Sequence, residues 1–159
     1  GVGLYGLQPA ETTIGVIDLE PAMSVRGRVT RVVYPEVGAG VGYGMTYRVP
    51  KRNVQIATVP IGYADGLSRT LSNNMDVIVN GRRQRQVGNI CMDQFMFAVD
   101  VNTTRTYCPT PEIHEGDVVT VIGADGDERI TADEMARLRG TINYEVVCGF
   151  GMRLPKVFV

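Results

Sequence analysis

Short stretches in which hydrophobic and polar residues alternate, separated by glycine and proline, make up most of this chain. Residues 12–33 are rich in Val, Ile and Thr, and positions 23–32 alternate with the two-residue period of a half-buried strand. The glycines of residues 35–44 predict a loop where the backbone can pass close to a ligand or another chain. Further strands are predicted at 53–61, 75–79, 85–87, 94–99 and 117–123.

Turn residues separate several of these strands. Asn80-Gly81 is the strongest short hairpin signal in the chain, because both residues tolerate the positive φ that a tight turn requires. Residues 124–127, Ala-Asp-Gly-Asp, predict a turn after the strand at 117–123. The basic residues within 81–85 are expected to be solvated on a hairpin turn, and we assign them no role.

Helix is predicted only near the end of the chain. Thr131 and Glu134 match a capping box, and Gly140 ends the helix that follows. A second short helix is predicted over 142–148. The sequence therefore predicts a mainly β fold: an antiparallel barrel or sandwich-like domain over residues 1–159, with a small C-terminal helical pair.

Composition and charge limit the classes of function. The 159 residues are 44% hydrophobic and 21% charged, enough to bury a core without disulfide or metal staples. The net charge of −1, with no basic stripe, disfavours nucleic-acid binding. No apolar run approaches the roughly 20 residues that span a bilayer, and no signal segment opens the chain, so we expect no membrane partner and a cytoplasmic location. The opening Gly1-Val2-Gly3, without Met, suggests a piece of a longer protein.

The cysteines and the histidine indicate no metal site. Cys91, Cys108 and Cys148 are far apart and odd in number, so we expect reduced thiols and neither a disulfide framework nor a metal knuckle. His114 is the single histidine and lies in a polar turn, where a solvated surface group is expected. A histidine triad or a zinc site is therefore not predicted.

Tyrosine and aspartate supply the candidate chemistry. Tyr43, Tyr63 and Tyr144 lie beside glycine-rich loops or at element ends. A phenol has a pKa near 10 and acts as a base only where neighbours lower that value, so each tyrosine is either a candidate base or a packing residue. The aspartates at the ends of predicted strands fit turns better than an acid set; they are Asp65, Asp93 and Asp100.

Several short motifs, taken in order, resemble the C-terminal half of bacterial alanine racemases. Each motif is loose by itself, but their order and spacing match across essentially the whole chain. The motifs are Gly3-Leu4-Tyr5-Gly6, Val41-Gly42-Tyr43-Gly44-Met45-Thr46-Tyr47, Ile61-Gly62-Tyr63-Ala64-Asp65-Gly66, Val87-Gly88-Asn89-Ile90-Cys91-Met92-Asp93-Gln94, Thr141-Ile142-Asn143-Tyr144-Glu145 and Arg153-Leu154-Pro155-Lys156.

The resemblance implies a domain organisation. In that family a pyridoxal-phosphate-binding (β/α)8 barrel comes first and a mainly β domain follows, so this chain is expected to be the second domain. The lysine that binds the cofactor covalently lies in the family's barrel, and neither Lys51 nor Lys156 matches its motif. The resemblance also implies a homodimer, in which the β domain packs on the N-terminal barrel of its own subunit and covers the open face of the partner's barrel.

The resemblance further implies roles in catalysis and substrate binding. Tyr43 would be the second catalytic base, because racemisation removes a proton on one face of Cα and delivers one on the other. Tyr63 would line the inner part of the substrate path. The backbone N–H of Met92 would bind the substrate carboxylate, with Asp93 beside it.

It also implies roles at the cofactor and along the path to it. Tyr144 would hydrogen-bond the cofactor phosphate in its own subunit, and the backbone at Gly1 and Val2 would reach the same phosphate. Arg69 and Ile142 would lie farther out along the access corridor.

The implied function is interconversion of L- and D-alanine for peptidoglycan synthesis by the full-length protein, with this chain inactive alone. Two departures bear on substrate preference: Asn89 stands where many members carry a basic residue, and Lys156 replaces a final arginine. The alternatives are a racemase of other or broader specificity and a non-catalytic β-barrel binding module. A βαβα pattern upstream in the gene would favour a racemase over the binding module.

Overall fold

The computed structural model describes residues 1–101 and 112–159. Within these ranges the chain forms short strands, two α-helices and several single 3₁₀ turns. The strands are β1 (Val25–Arg28), β2 (Arg31–Val33), β3 (Gly40–Val41), β4 (Tyr47–Arg48), β5 (Val54–Val59), β6 (Asp76–Val79), β7 (Arg82–Val87), β8 (Phe95–Asp100), β9 (Val118–Asp125) and β10 (Glu128–Ile130). The helices are α1 (Ala132–Arg139) and α2 (Asn143–Gly149).

The main sheet of the described residues is antiparallel and has the order β1-β9-β6-β7-β8-β5-β2, with β10 paired to β9. β1 and β2 lie at opposite ends of this order, although only Val29 and Thr30 separate them in the chain. Three peptide units reach about 11 Å at most, so the sheet curls until its first and last strands are close. The predicted mainly β, barrel-like fold with a C-terminal helical pair is confirmed.

The core fills the inside of this curled sheet. In β8, Phe95, Phe97 and Val99 face the large central cluster, whereas Met96 belongs to a smaller cluster on the opposite face. β8 is apolar on both of its faces because both faces are covered: one by the central core and the other by the β3–β4 hairpin. Val41 of the β3–β4 hairpin packs in that smaller cluster, so the hairpin is fastened to the outside of the sheet.

The strongest local signals are confirmed. Asn80 and Gly81 have φ of 52° and 67° and join β6 to β7 as a two-residue hairpin, with Val79 opposite Arg82. The hydroxyl of Thr131 accepts the N–H of Glu134 at 3.0 Å and starts α1. None of the helices within 1–101 and 112–159 is long and apolar enough to cross a membrane.

Three local predictions are wrong. Positions 23–32 do not form one strand. Val29 N–H donates to Asp117 O, just before β9, whereas Thr30 N–H donates to Thr58 O in β5. β9 pairs with β1 and β5 pairs with β2, at the two opposite ends of the sheet order. The turn predicted at 124–127 begins later, since β9 runs to Asp125 and pairs with the unpredicted β10. The basic hairpin is not merely solvated, because Arg83 forms ion pairs with Glu128 and Glu134.

Candidate functional site

Tyr43 lies on the tip of the β3–β4 hairpin. β3 and β4 pair through Val41 and Tyr47, and a 3₁₀ turn, Tyr43–Met45, joins them. Gly42 and Gly44 have φ of 67° and 74°, a region that a side chain would disfavour. This backbone leaves the Tyr43 side chain 78% exposed on the surface of the domain. Its phenol is therefore free to meet groups that come from outside the domain.

A second tyrosine lies on a 3₁₀ turn after β5, Tyr63–Asp65. The buried carboxylate of Asp65 accepts the N–H of Gly62 at 2.7 Å and closes this turn. Tyr63 N–H donates to Cys91 O, and Ala64 N–H donates to Met92 O, both at 3.0 Å. The turn that carries Tyr63 is thus fastened to the loop that carries Met92.

These loops surround a cavity of about 410 Å³, which we call the tyrosine cleft. Its lining consists of Tyr43, Tyr63, Arg69, Asn89, Ile90, Cys91 and Met92. The structure therefore brings together four residues predicted from the sequence. Tyr43, Tyr63 and Met92 lie on the loops after β3, β5 and β7. Arg69 lies on the 3₁₀ turn Arg69–Leu71. A cleft with a phenol, a guanidinium and a backbone loop can hold a small polar molecule.

Asp93 lies beside the tyrosine cleft without lining it. Its carboxylate accepts from Arg153 at 2.5 Å, and the same guanidinium contacts Asp65 at 3.3 Å. The hydrogen bond to Asp93 and the charge of Asp65 raise the pKa of Arg153 above its usual value. Asp65 and Asp93, read separately from the sequence as turn residues, thus share one cation, which ties the Tyr63 turn to the Met92 loop.

The predicted cofactor residues meet at another place, the amino-terminal cavity, of about 820 Å³. Gly1, Val2 and Tyr144 are among its lining residues. Buried Asn143 explains this meeting, because its Nδ2 donates to Gln8 O at 3.0 Å and to Asp133 at 2.7 Å. The first turn of α2 is therefore held against the start of the chain.

Ile142 lies outside both cavities, whereas Cys91 lines the tyrosine cleft and Cys148 lines the amino-terminal cavity. Ile142 precedes α2, is 61% exposed and lines neither of these two cavities. Cys91 is a buried free thiol of the tyrosine cleft, and Cys148 is an exposed free thiol. Cys108 lies outside the described residues. Within the described ranges, no group of three or more His, Cys, Asp or Glu could hold a metal ion, and His114 is exposed.

Sequence reasoning missed the contacts of Asn89. Its Nδ2 donates to the backbone carbonyl of Tyr43 at 2.9 Å, so this residue holds the Tyr43 turn as well as lining the cleft. The only signal in the sequence is its position between Gly88 and Ile90, in one of the motifs that carry the resemblance.

The fold and its two cavities define a mainly antiparallel β domain that carries its candidate substrate site on surface loops. The family model described as the alanine racemase C-terminal domain matches residues 22–158, and the chain belongs to this family.

Individual relatives agree with this assignment. The chain is 43% identical over 159 residues to an alanine racemase of Synechocystis, and covers 40% of that protein. It superimposes with a TM-score of 0.88 and 40% identity on alanine racemase from Bacillus anthracis with bound L-Ala-P, covering 39% of that chain. An alanine racemase from E. faecalis gives a TM-score of 0.85 at 40% identity, with 39% of its chain covered. The chain thus spans about 40% of the length of the curated relatives it matches.

Proposed function

We propose that residues 1–159 are the C-terminal β domain of a longer, pyridoxal-phosphate-dependent alanine racemase that interconverts L- and D-alanine for peptidoglycan synthesis in the cytoplasm. The observation that carries this proposal is the meeting of Tyr43, Tyr63, Arg69 and Met92 in the tyrosine cleft. To these residues the family resemblance assigns catalysis (Tyr43), substrate contact (Tyr63 and Met92) and a place along the access corridor (Arg69). A non-catalytic binding module would not require an exposed phenol on a turn held from several sides.

In the proposed reaction, Tyr43 is the catalytic residue of this domain. Its phenol oxygen would take or return the proton at Cα on one face of the substrate, and a lysine of the barrel would serve the opposite face. When bound, pyridoxal phosphate would supply the electron sink that stabilises the charge left on Cα. Because Tyr43 is 78% exposed in this domain, the barrel that it serves would be that of the partner subunit in a homodimer.

The remaining residues of the cleft would bind and orient the amino acid. Met92 would donate its backbone N–H to the substrate carboxylate, and the bond from Ala64 N–H to Met92 O holds that peptide in place. Asp93 would support this loop through Arg153. Tyr63 would line the inner substrate path, and Arg69 would lie along the corridor that leads to it.

The residues at the start of the chain fit the phosphate end of the cofactor. Gly1, Val2 and Tyr144 line one cavity, where a phenol hydroxyl and backbone groups can contact phosphate oxygens. Ile142 precedes Tyr144 by two residues and would lie farther out, at the rim of the corridor. The covalent attachment is expected elsewhere, because neither Lys51 nor Lys156 lines either cavity, and Lys51 pairs with Asp100 at 2.5 Å.

The test is racemisation of L-alanine by the full-length protein, followed by circular dichroism. Tyr43→Phe removes the phenolic proton carrier, so we expect the rate to fall about 100-fold or more. The cofactor's absorption should be unchanged, since the barrel lysine is untouched. Tyr34→Phe, at an exposed tyrosine outside the cleft, serves as the matched control and should retain the wild-type rate.

Retention of activity within a few-fold by Tyr43→Phe would remove Tyr43 from the chemistry. Absence of alanine turnover by the wild type, together with turnover of serine or a larger amino acid, would favour the racemase of other specificity. If the full-length wild type racemises no amino acid and binds no cofactor, the non-catalytic binding module becomes the favoured alternative.

A further inference from the structure

A single asparagine joins three loops near the tyrosine cleft. The backbone N–H of Asn73 donates to the Gln86 side chain at 2.6 Å, and its Oδ1 accepts from Gly88 N–H at 2.7 Å. Its Nδ2 donates to the hydroxyl of Thr46 at 3.0 Å. Asn73 has φ of 60°, a left-handed conformation that asparagine tolerates better than most residues. Residue 73 therefore uses its backbone and both ends of its amide to connect separate segments.

The network on the β7 side is fully satisfied and buried. Gln86 is 0% exposed, and its Nε2 donates to Val87 O at 3.1 Å and to Gly88 O at 2.9 Å. Gly88 approaches the β3–β4 hairpin closely, because a Cβ there would lie 2.7 Å from Val41 O. A satisfied buried network holds one arrangement of its members. Asn73 is thus attached to a rigid base beside the hairpin.

The Tyr43 turn is held at both of its ends from this base. At the beginning, Asn89 donates to Tyr43 O at 2.9 Å. At the end, Thr46, the residue that follows the turn, accepts from Asn73. The turn's own bond, from Met45 N–H to Gly42 O, is long at 3.3 Å, and Met45 has φ of 48°. The external bonds therefore contribute much of what fixes its conformation.

We propose that Thr46 and Asn73 are positioning residues, whose hydrogen bond fixes where the Tyr43 phenol stands relative to substrate. This inference rests on the proposed function, because it assigns to the pair an effect on the proton that Tyr43 carries. Neither residue lines the tyrosine cleft, so neither is placed to touch substrate. Proton transfer depends on the donor and acceptor being held close to their reacting distance, and a loose turn would lose part of that alignment.

The experiment compares Thr46→Val with Thr46→Ser in the full-length racemase. Valine keeps the shape of threonine without its hydroxyl, whereas serine keeps the hydroxyl. Thr46 is exposed, so neither change removes core packing. We expect Thr46→Val to lower kcat about tenfold and Thr46→Ser to stay within about twofold of wild type. Thr30→Val, at an exposed threonine between β1 and β2, is the control and should leave kcat unchanged.

The decisive readout is the primary isotope effect with each α-deuterated enantiomer. In the proposed reaction Tyr43 removes the α-proton of one enantiomer and the barrel lysine removes that of the other. Misplacing Tyr43 makes its step more rate-limiting, so Thr46→Val should raise the isotope effect with the enantiomer that Tyr43 deprotonates and lower it with the other. Asn73→Gly, which accepts the left-handed φ, should shift both effects in the same directions.

Unchanged kcat and unchanged isotope effects in Thr46→Val would overturn the proposal. A lower kcat with both isotope effects as in the wild type would overturn it as well, because that pattern reports less folded enzyme. If Tyr43→Phe retains activity, the assignment of Tyr43 fails with the proposed function. If Tyr43→Phe is inactive while Thr46→Val behaves as wild type, only the positioning role fails.

Discussion

At the scale of the residue, close backbone approach decides which loops can form the tyrosine cleft. Gly62 has an ordinary extended φ of −138°, so its conformation does not require glycine. Its surroundings do, because a Cβ there would lie 2.2 Å from Met92 O and 2.4 Å from Cys91 O. The absent side chain is what lets the Tyr63 turn donate its N–H groups to the Met92 loop.

Gly62→Ala should therefore push these loops apart. We expect it to lower the free energy of unfolding by about 1–3 kcal/mol, the usual range for a methyl group forced into a filled space. Gly151→Ala is the matched control, since nothing lies within 4 Å of its added Cβ, and we expect a change within about 0.5 kcal/mol. Denaturant unfolding of the purified protein measures both, and equal midpoints would contradict the steric argument.

Individual site residues could be predicted from sequence only as far as their motifs reach. Tyr43, Tyr63 and Met92 were predicted for one site, and the structure places them around one cleft. The bridge from Arg153 to Asp65 and Asp93 was not predicted, because its members are distant in the chain and each looks like an ordinary turn or terminal residue. Such contacts arise when the barrel closes, and no local pattern encodes them.

At the scale of the element, turn and cap residues could be predicted from the sequence, whereas the pairing of strands could not. The Asn80-Gly81 hairpin and α1 were predicted because their turn and cap residues act within a few positions. β10 was missed because Asp125, Gly126 and Asp127 are common turn residues, although β9 continues to Asp125 and pairs with β10. A strand exists where a partner lies alongside, and the partner is fixed by the whole sheet.

Arg83 is an example of tertiary pairing between elements. It lies on β7, donates to both carboxylate oxygens of Glu134 at 2.6 and 2.9 Å, and contacts Glu128 of β10 at 3.0 Å. The guanidinium therefore joins the hairpin, β10 and the first turn of α1. Its planar fork matches a carboxylate in a way that a lysine ammonium does not.

Arg83→Lys keeps the charge but loses this fork, so we expect a loss of about 1–2 kcal/mol in unfolding free energy. Arg85→Lys, on the same strand with a single exposed contact to Asp76 at 3.2 Å, should lose less than about 0.5 kcal/mol. Urea unfolding distinguishes the two. Similar losses would mean that the fork contributes nothing beyond charge.

The pH dependence of this difference has a defined sign. Hydrogen bonds to Glu134, the largest cause, raise the pKa of Arg83 above its ordinary value. Stability from a raised pKa is present below the ordinary arginine pKa and is lost only as pH rises through the higher folded value. Arg83 therefore stays charged as the pH rises to about 10, where a lysine begins to titrate. Up to that pH, the difference in unfolding free energy between wild type and Arg83→Lys should not decrease as the pH rises.

At the scale of the whole molecule, the exposed groups of the cleft indicate an incomplete site. Tyr43, Met92 and Tyr63 are 78%, 53% and 43% exposed, which is unusual for large side chains gathered at one place. Lys51 and Lys156 lie outside the cleft, so the lysine of the proposed reaction must come from another part of the protein. We therefore expect the isolated chain to show no racemisation of alanine.

A shared site makes a quantitative prediction for mixed dimers of the full-length protein. One variant loses the barrel lysine and the other carries Tyr43→Phe, so each homodimer lacks one of the two proton carriers at both sites. In a mixed dimer, the intact barrel of one subunit meets the intact Tyr43 of the other, and one complete site forms. Random mixing yields mixed dimers for about half of the population, and each mixed dimer has one complete site of two, so activity should return to about a quarter of wild type.

Unfolding and refolding the two variants together, with each refolded alone as the control, measures this recovery. If the mixture stays as inactive as its parents while wild type refolds to full activity, Tyr43 serves the barrel of its own subunit, because only a site built within one chain leaves every combination without a complete pair.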